Sequence, residues 1–404
     1  MSEGVRAEVG YIAPVEGLRG VAVLWVVAFH YVTVRGPVAA GDPWIAALGR
    51  VPALDALVRN GYLGVDLFFL ISGFLLALPW FAHARSAAPA PSTAAFYARR
   101  VRRIVPAYYL QLVMLFALVM PLLHGRGYWR SDLWVDLWNA AAHALFLQNT
   151  TPLTSGSLGV NGALWTLAVE AQFYLLLPLA APLFVRAPLR ALAASALASL
   201  LWAWAAAHGF RGLVEAAMAA GSHWRWTEET VRRLLAMQLP QFLGHFALGI
   251  VLGRAWLMRR TGAQPTRIRL ARAFAALAAL VLLYAAVTRT AAPEALRPLA
   301  ALALGALLYL AATSRSPVVL ALLGRGPLAH AGRVSYSAYL YHLPLLALSN
   351  AFARDWSGPL ALPAFAALLF AVAWVSWRYV EQPFLARPGP AARPIPARAA
   401  ASPD

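Results

Sequence analysis

An arginine and a histidine stand eleven residues apart in the first apolar stretch of the chain, Arg19 and His30, within Glu16-Gly17-Leu18-Arg19-Gly20 and Phe29-His30. At about 100° and 1.5 Å per helical residue, both side chains fall on one stripe, about 16 Å apart along the axis. Histidine is the side chain best suited to take a proton near neutral pH, and arginine keeps its charge throughout that range. The competing reading is structural, with Arg19 snorkelling to an interface and His30 hydrogen-bonded in a core.

Other polar groups interrupt later apolar stretches. Asp66, in Gly64-Val65-Asp66-Leu67-Phe68-Phe69, requires a partner, expected to be an arginine or histidine of another segment. Gly64, Ser72 and Gly73 leave a narrow face on which a second helix can pack closely. Glu170, in Trp165-Thr166-Leu167-Ala168-Val169-Glu170-Ala171-Gln172-Phe173-Tyr174, falls at a depth similar to that of His30. A carboxylate there can orient the imidazole and raise its basicity, or the two can form a purely structural pair. Arg99, Arg100, Arg102 and Arg103 precede Pro106, either as a topology anchor or as guanidinium forks for phosphate oxygens. Ser335-Tyr336-Ser337-Ala338-Tyr339-Leu340-Tyr341-His342 is a further polar run, and Arg378 and Glu381, one turn apart, are expected to satisfy each other.

Composition says what must position these groups. Of 404 residues, 61% are hydrophobic and only 12% charged, which is too few charges to wet the surface of a soluble protein of this size. The mean hydropathy is +0.62. The expected class is an all-α polytopic integral membrane protein. Cysteine is absent, and lysine is too, so all 34 positive charges are arginine. Thiolate chemistry, a P-loop lysine and a lysine Schiff base are thereby excluded. The remaining histidines show no metal-ligand spacing, and no metal is expected. The net charge of +18 comes from arginines clustered between apolar runs, so it indicates membrane topology and not nucleic-acid binding.

A spanning helix needs about 20 apolar residues. Ten stretches qualify, at roughly 13–35, 61–83, 104–123, 161–185, 189–207, 238–258, 271–289, 296–313, 334–353 and 359–381. With both termini cytoplasmic, inside segments hold 21 arginines and outside segments 12, as the positive-inside rule requires. The acidic residues ahead of the first span argue against a cleaved leader. The expected organisation is a cytoplasmic segment 1–12, a membrane domain 13–385, and a disordered Pro/Ala-rich cytoplasmic tail 386–404. Without further information, an enzyme and a proton-coupled transporter or flippase are both compatible with such buried ionisable groups.

Five of these segments, in order, resemble the acyltransferase-3 family of membrane-bound O-acyltransferases. They are Glu16-Gly17-Leu18-Arg19-Gly20 with His30, Gly64 to Phe74, Arg100-Val101-Arg102-Arg103, Trp165 to Tyr174, and Ser335 to His342. Each is weak alone, and together they cover about 13–385. Family members acylate hydroxyls on surface polysaccharides, peptidoglycan, lipid-linked sugars and macrolides. The resemblance implies that His30 is the catalytic histidine, acting as base or acyl carrier, assisted by Glu170. It also implies that Arg100 and Arg103, with Arg19 near the entrance, hold an acyl-CoA, most simply acetyl-CoA. Asp66, Trp165, Ser335, Tyr336 and His342 are expected to support the site or its substrates. This chain departs from the family pattern in having Glu16 where Asp is common and in the ending Leu340-Tyr341-His342, and the esterase-like domain of some members is not expected in it. The implied activity is acyl transfer to a hydroxyl of a glycan or glycosylated small molecule, in a bacterial inner membrane, with no permanently bound cofactor.

Overall fold

The computed structural model describes residues 11–39, 41–85, 90–125, 133–149, 161–220, 227–259, 293–354 and 358–385, and every regular element among them is helical. The expected span 271–289 and the tail 386–404 lie outside the described residues. Among the described residues, seven helices are long and apolar enough to cross a membrane. Of these, α1 (Ala13–Arg35), α2 (Leu63–Arg85), α3 (Thr93–His124), α4 (Gly162–Arg186) and α5 (Pro188–His208) precede a short α6 (Glu228–Ala236). Next come α7 (Leu239–Arg259) and α8 (Pro293–Thr313), the latter bent by 105° from the segment Pro317–Arg333. The bundle closes with α9 (Ser335–Phe352) and α10 (Ala361–Leu385). The 18-residue α9 is the expected ninth stretch, but its Ser, Tyr, His and Asn content keeps it off the apolar count.

Close helix contact depends on missing side chains. A Cβ on Gly73 of α2 would collide with the Phe246 carbonyl of α7, and one on Gly249 of α7 with the Leu70 carbonyl of α2. The two helices therefore interlock backbone to backbone, as small-residue faces allow in membranes. Gly64 does the same against the Ala22 carbonyl of α1. The narrow face read from Gly64 and Gly73 is thus used by two different neighbours.

α1 and α9 run parallel and are tied at three levels. At one end Arg19 donates to Ser335 Oγ at 3.1 Å. At the other, Arg35, only 1% exposed, donates to Ser349 Oγ at 3.0 Å, Asn350 Oδ1 at 3.3 Å and the Ala353 carbonyl at 3.3 Å. Asp42 lies 3.7 Å from its guanidinium. Between these tethers His30 meets His342. A π-turn, Tyr31–Arg35, begins immediately after His30, and such bulges recur at functional positions because they re-aim the residues beside them. Arg19, Arg100 and Arg103 mark the basic end of the bundle, and Arg35 marks the far end.

Candidate active site

A cavity opens at the basic end between α1, α2, α3, α4 and α9. Its charged lining comprises Arg19, Arg100, Arg103 and Glu170, three cations to one anion. Thr166, Glu170 and Tyr174 recur every four residues on α4, so a single face of that helix forms one wall. Arg100 lies over the rings of Phe96 at 5.9 Å and Tyr174 at 5.8 Å, and its buried Nε has no hydrogen-bond partner. An unpaired guanidinium N–H of this kind suits an incoming anion. Arg103 is committed differently: its Nη1 lies 3.1 Å from Glu381, a fully buried carboxylate that also accepts from Ser337 Oγ at 2.6 Å.

That contact corrects one expectation. Glu381 does not pair with Arg378, which donates to Gln382 instead. The π-turn Trp377–Glu381 changes the facing of the segment and turns Glu381 inward toward α3.

A second correction concerns Glu170. The structure does not hydrogen-bond it to His30. Its Oε1 accepts from Ser72 Oγ at 2.9 Å and from the Tyr174 hydroxyl. Depth matching placed both groups within the membrane but could not say which way each helix faces. Glu170 points into the cavity, whereas His30 lies beyond its inner end.

The inner end is closed by Tyr339, whose hydroxyl is 2.8 Å from Thr166 Oγ1 and 3.1 Å from the Ala163 carbonyl. Behind it is His342, with ring centroids 5.5 Å apart. His342 is fully buried; its Nδ1 is 2.7 Å from the Tyr339 carbonyl and its Nε2 3.0 Å from His30 Nδ1. A carbonyl has no hydrogen to give, so His342 Nδ1 must donate. An imidazolium buried there without a carboxylate would be an uncompensated charge. A neutral His342 therefore accepts at Nε2, and the bonding hydrogen comes from His30 Nδ1. His30 Nε2 is left with its lone pair, the form a base or nucleophile requires.

The remaining expected residues divide between two neighbourhoods. Ser335 and Tyr336 line the cavity; the Tyr336 hydroxyl donates to the Ile104 carbonyl at 2.9 Å and its ring lies beneath Arg103. Trp165 instead packs against Phe242 at 5.3 Å and Phe69 at 6.3 Å. Asp66, fully buried, faces away from the cavity and is held by Arg297 Nε at 3.0 and 3.2 Å and His245 Nε2 at 3.1 Å. The expected partner types are thus present, both at once. Sequence reasoning missed Tyr174, Tyr339 and Arg297 as participants. Tyr174 was within reach, since it lies one turn from Glu170 on the same face.

Comparison with known proteins places the chain in a class. Residues 12–378 match the acyltransferase domain that defines the acyltransferase-3 family, and the chain belongs to that family. It is an integral membrane O-acyltransferase. It is 28% identical over 380 residues to the acyltransferase MdmB of Streptomyces mycarofaciens, covering 88% of this chain and 87% of that protein. It is 24% identical over 414 residues to the regulator of hypoxia-inducible factor 1 of Caenorhabditis elegans, covering 90% and 78%. The peptidoglycan O-acetyltransferase OatA of Listeria monocytogenes is 26% identical over 189 residues, 44% of this chain but 25% of OatA. No solved structure matches.

Proposed function

We propose that the protein transfers an acyl group, acetyl in the simplest case, from cytosolic acyl-CoA to a hydroxyl of a glycan or glycosylated small molecule. The observation that carries this reading is the alignment of the basic cavity with the His30–His342 pair along the parallel helices α1 and α9. The basic end is the cytoplasmic face, consistent with the surplus of arginine on that side of the chain. CoA phosphates bind at Arg100 and Arg19, with Arg103 adding field although Glu381 offsets its charge. The eleven residues from Arg19 to His30 span about 16 Å, comparable with the extended pantetheine arm, so the thioester reaches Tyr339, which must swing aside to admit it to His30.

In the transfer, His30 Nε2 takes the proton of the acceptor hydroxyl as the oxygen bonds to the thioester carbon. The C–S bond then breaks, and the CoA sulfur leaves with the proton returned from His30. His342 holds the ring in the tautomer that leaves Nε2 free. Glu170, tied to Ser72 and Tyr174, acts on the donor side, shaping the cavity and balancing its arginines. The Listeria relative OatA carries a peptidoglycan acceptor in its name, which supports a glycan acceptor here. The envelope position of such glycans is consistent with a bacterial inner membrane. The test is release of free CoA from acetyl-CoA by the purified protein, with and without a membrane-glycan extract. Release that rises with the extract supports the reading. No release from acetyl-CoA or longer acyl-CoAs by folded protein overturns it.

A further inference from the structure

On the opposite side of α2 from the basic cavity lies a larger one, about 1140 Å³, bounded by α5, α6, α7 and α8. Its walls are built from small and aliphatic residues, including Ala196, Ala203, Gly244 and Ala301, on helices whose alanines leave space. From Leu192 to His208 the slot follows α5 over sixteen helical steps, about 24 Å at 1.5 Å per residue. It has a polarity gradient. Leu192, Leu248 and Leu302 line the part toward the basic end, while its polar and charged residues gather toward the far end. There α6 contributes two ion pairs, Glu228–Arg232 and Glu229–Arg233, and α7 contributes Gln241 and His245. Gln241 is 9% exposed, and its buried Oε1 has no hydrogen-bond partner.

We propose that this slot binds an amphiphile from the leaflet at the far end, its apolar chain lying along α5 and a hydroxyl or N–H of its head group donating to Gln241 Oε1. The length and gradient of the slot match a lipid lying along the membrane normal, with the head at one interface and the chain in the hydrocarbon. A buried amide oxygen without a donor is costly, and a hydroxylated head group supplies that donor. The slot also reaches the chemistry. Arg297, in its lining, sits over Tyr62 at 5.7 Å; Tyr62 meets Phe29 at 6.0 Å and Phe29 meets His30 at 4.9 Å. The head group is therefore held near the depth of His30, where a lipid-borne acceptor would have to present its hydroxyl. This last step rests on the acyl-transfer reading, whereas the binding of the amphiphile does not.

The test uses full-length protein in nanodiscs doped with photoreactive phosphatidylglycerol or phosphatidylcholine, each with a diazirine on its acyl chain, and crosslinks mapped by mass spectrometry. Only phosphatidylglycerol brings head-group hydroxyls. The expected result is labelling concentrated at Ala196, Ala203, Leu248 and Ala301 over the lipid-exposed Leu179 and Leu183 of α4. Phosphatidylglycerol should be preferred by about fivefold, the effect of one hydrogen bond. Gln241→Leu should abolish the preference without abolishing labelling, and Ala203→Trp should remove slot labelling in protein that melts normally. Equal labelling of the slot and of α4, meaning bulk lipid only, would overturn the proposal. So would a wild-type protein indifferent to the head group. Neither readout uses turnover, so failure of the acyl-transfer reading leaves this result interpretable.

Discussion

His30 Nδ1 lies 3.0 Å from His342 Nε2, and the Tyr339 carbonyl 2.7 Å from His342 Nδ1 fixes the direction of both bonds. The imidazole on α9 thereby determines which nitrogen of the imidazole on α1 is free. The tethers at Arg19 and Arg35 hold the register of the two helices that makes this contact possible.

His342→Ala should lower kcat by about 10²-fold, the effect of a misplaced reacting group, and leave the KM for acyl-CoA nearly unchanged. His342→Gln should recover part of the loss if its amide oxygen accepts from His30 Nδ1. Steady-state kinetics of the three proteins on purified samples give the kcat and KM split. A KM effect alone would place His342 in donor binding instead.

Arg100 and Arg103 are three residues apart and share a cavity, but their substitutions should fail differently. Arg100→Ala removes a guanidinium with an unpaired Nε, so the KM for acyl-CoA should rise about tenfold or more with stability preserved; lysine should restore little, since it lacks the fork. Arg103→Ala strands the buried Glu381 carboxylate, so it should cost about 3 kcal/mol of stability as well. Thermal unfolding in detergent, measured beside donor affinity, separates the two.

Asp66→Ala leaves Arg297 and His245 without their buried carboxylate and should destabilise the protein by about 3–5 kcal/mol. The double change Asp66→Leu with Arg297→Met should be milder than Asp66→Ala, because no charge is left unpaired. Urea or thermal unfolding in a fixed detergent measures both.

The sequence made some of this arrangement readable and concealed the rest for identifiable reasons. Helical periodicity places Arg19 and His30 on one stripe, and the cost of a charge in hydrocarbon requires partners for Asp66. It could not single out Arg297, which is 231 residues away, because long-range pairing leaves no local trace. Glu170 was paired with His30 by depth and by the family resemblance, and neither gives rotation about a helix axis. The Arg378–Glu381 spacing suggested an ordinary helical pair, but the π-turn Trp377–Glu381 shifts the periodicity on which that reading depends. Tyr339 was invisible as the inner wall of the cavity, since its role comes from Thr166 and Ala163 on α4 and its adjoining turn.

Because Glu170 and His30 share no hydrogen bond, their contributions should be close to additive. Glu170→Gln should change donor affinity more than kcat, and the double variant with His30→Ala should show a coupling energy within about 0.5 kcal/mol of zero. A larger coupling in the double-mutant cycle would restore the direct carboxylate–imidazole dyad.

The central claim is that His30 performs the transfer. The most direct measurement follows radiolabelled acetyl from acetyl-CoA into membrane glycan in proteoliposomes, in a single turnover, with wild type and His30→Ala matched for folding and donor binding. The account predicts that His30→Ala binds acetyl-CoA as wild type does but transfers about 10²–10⁴-fold more slowly. Transfer at the wild-type rate by His30→Ala would contradict it.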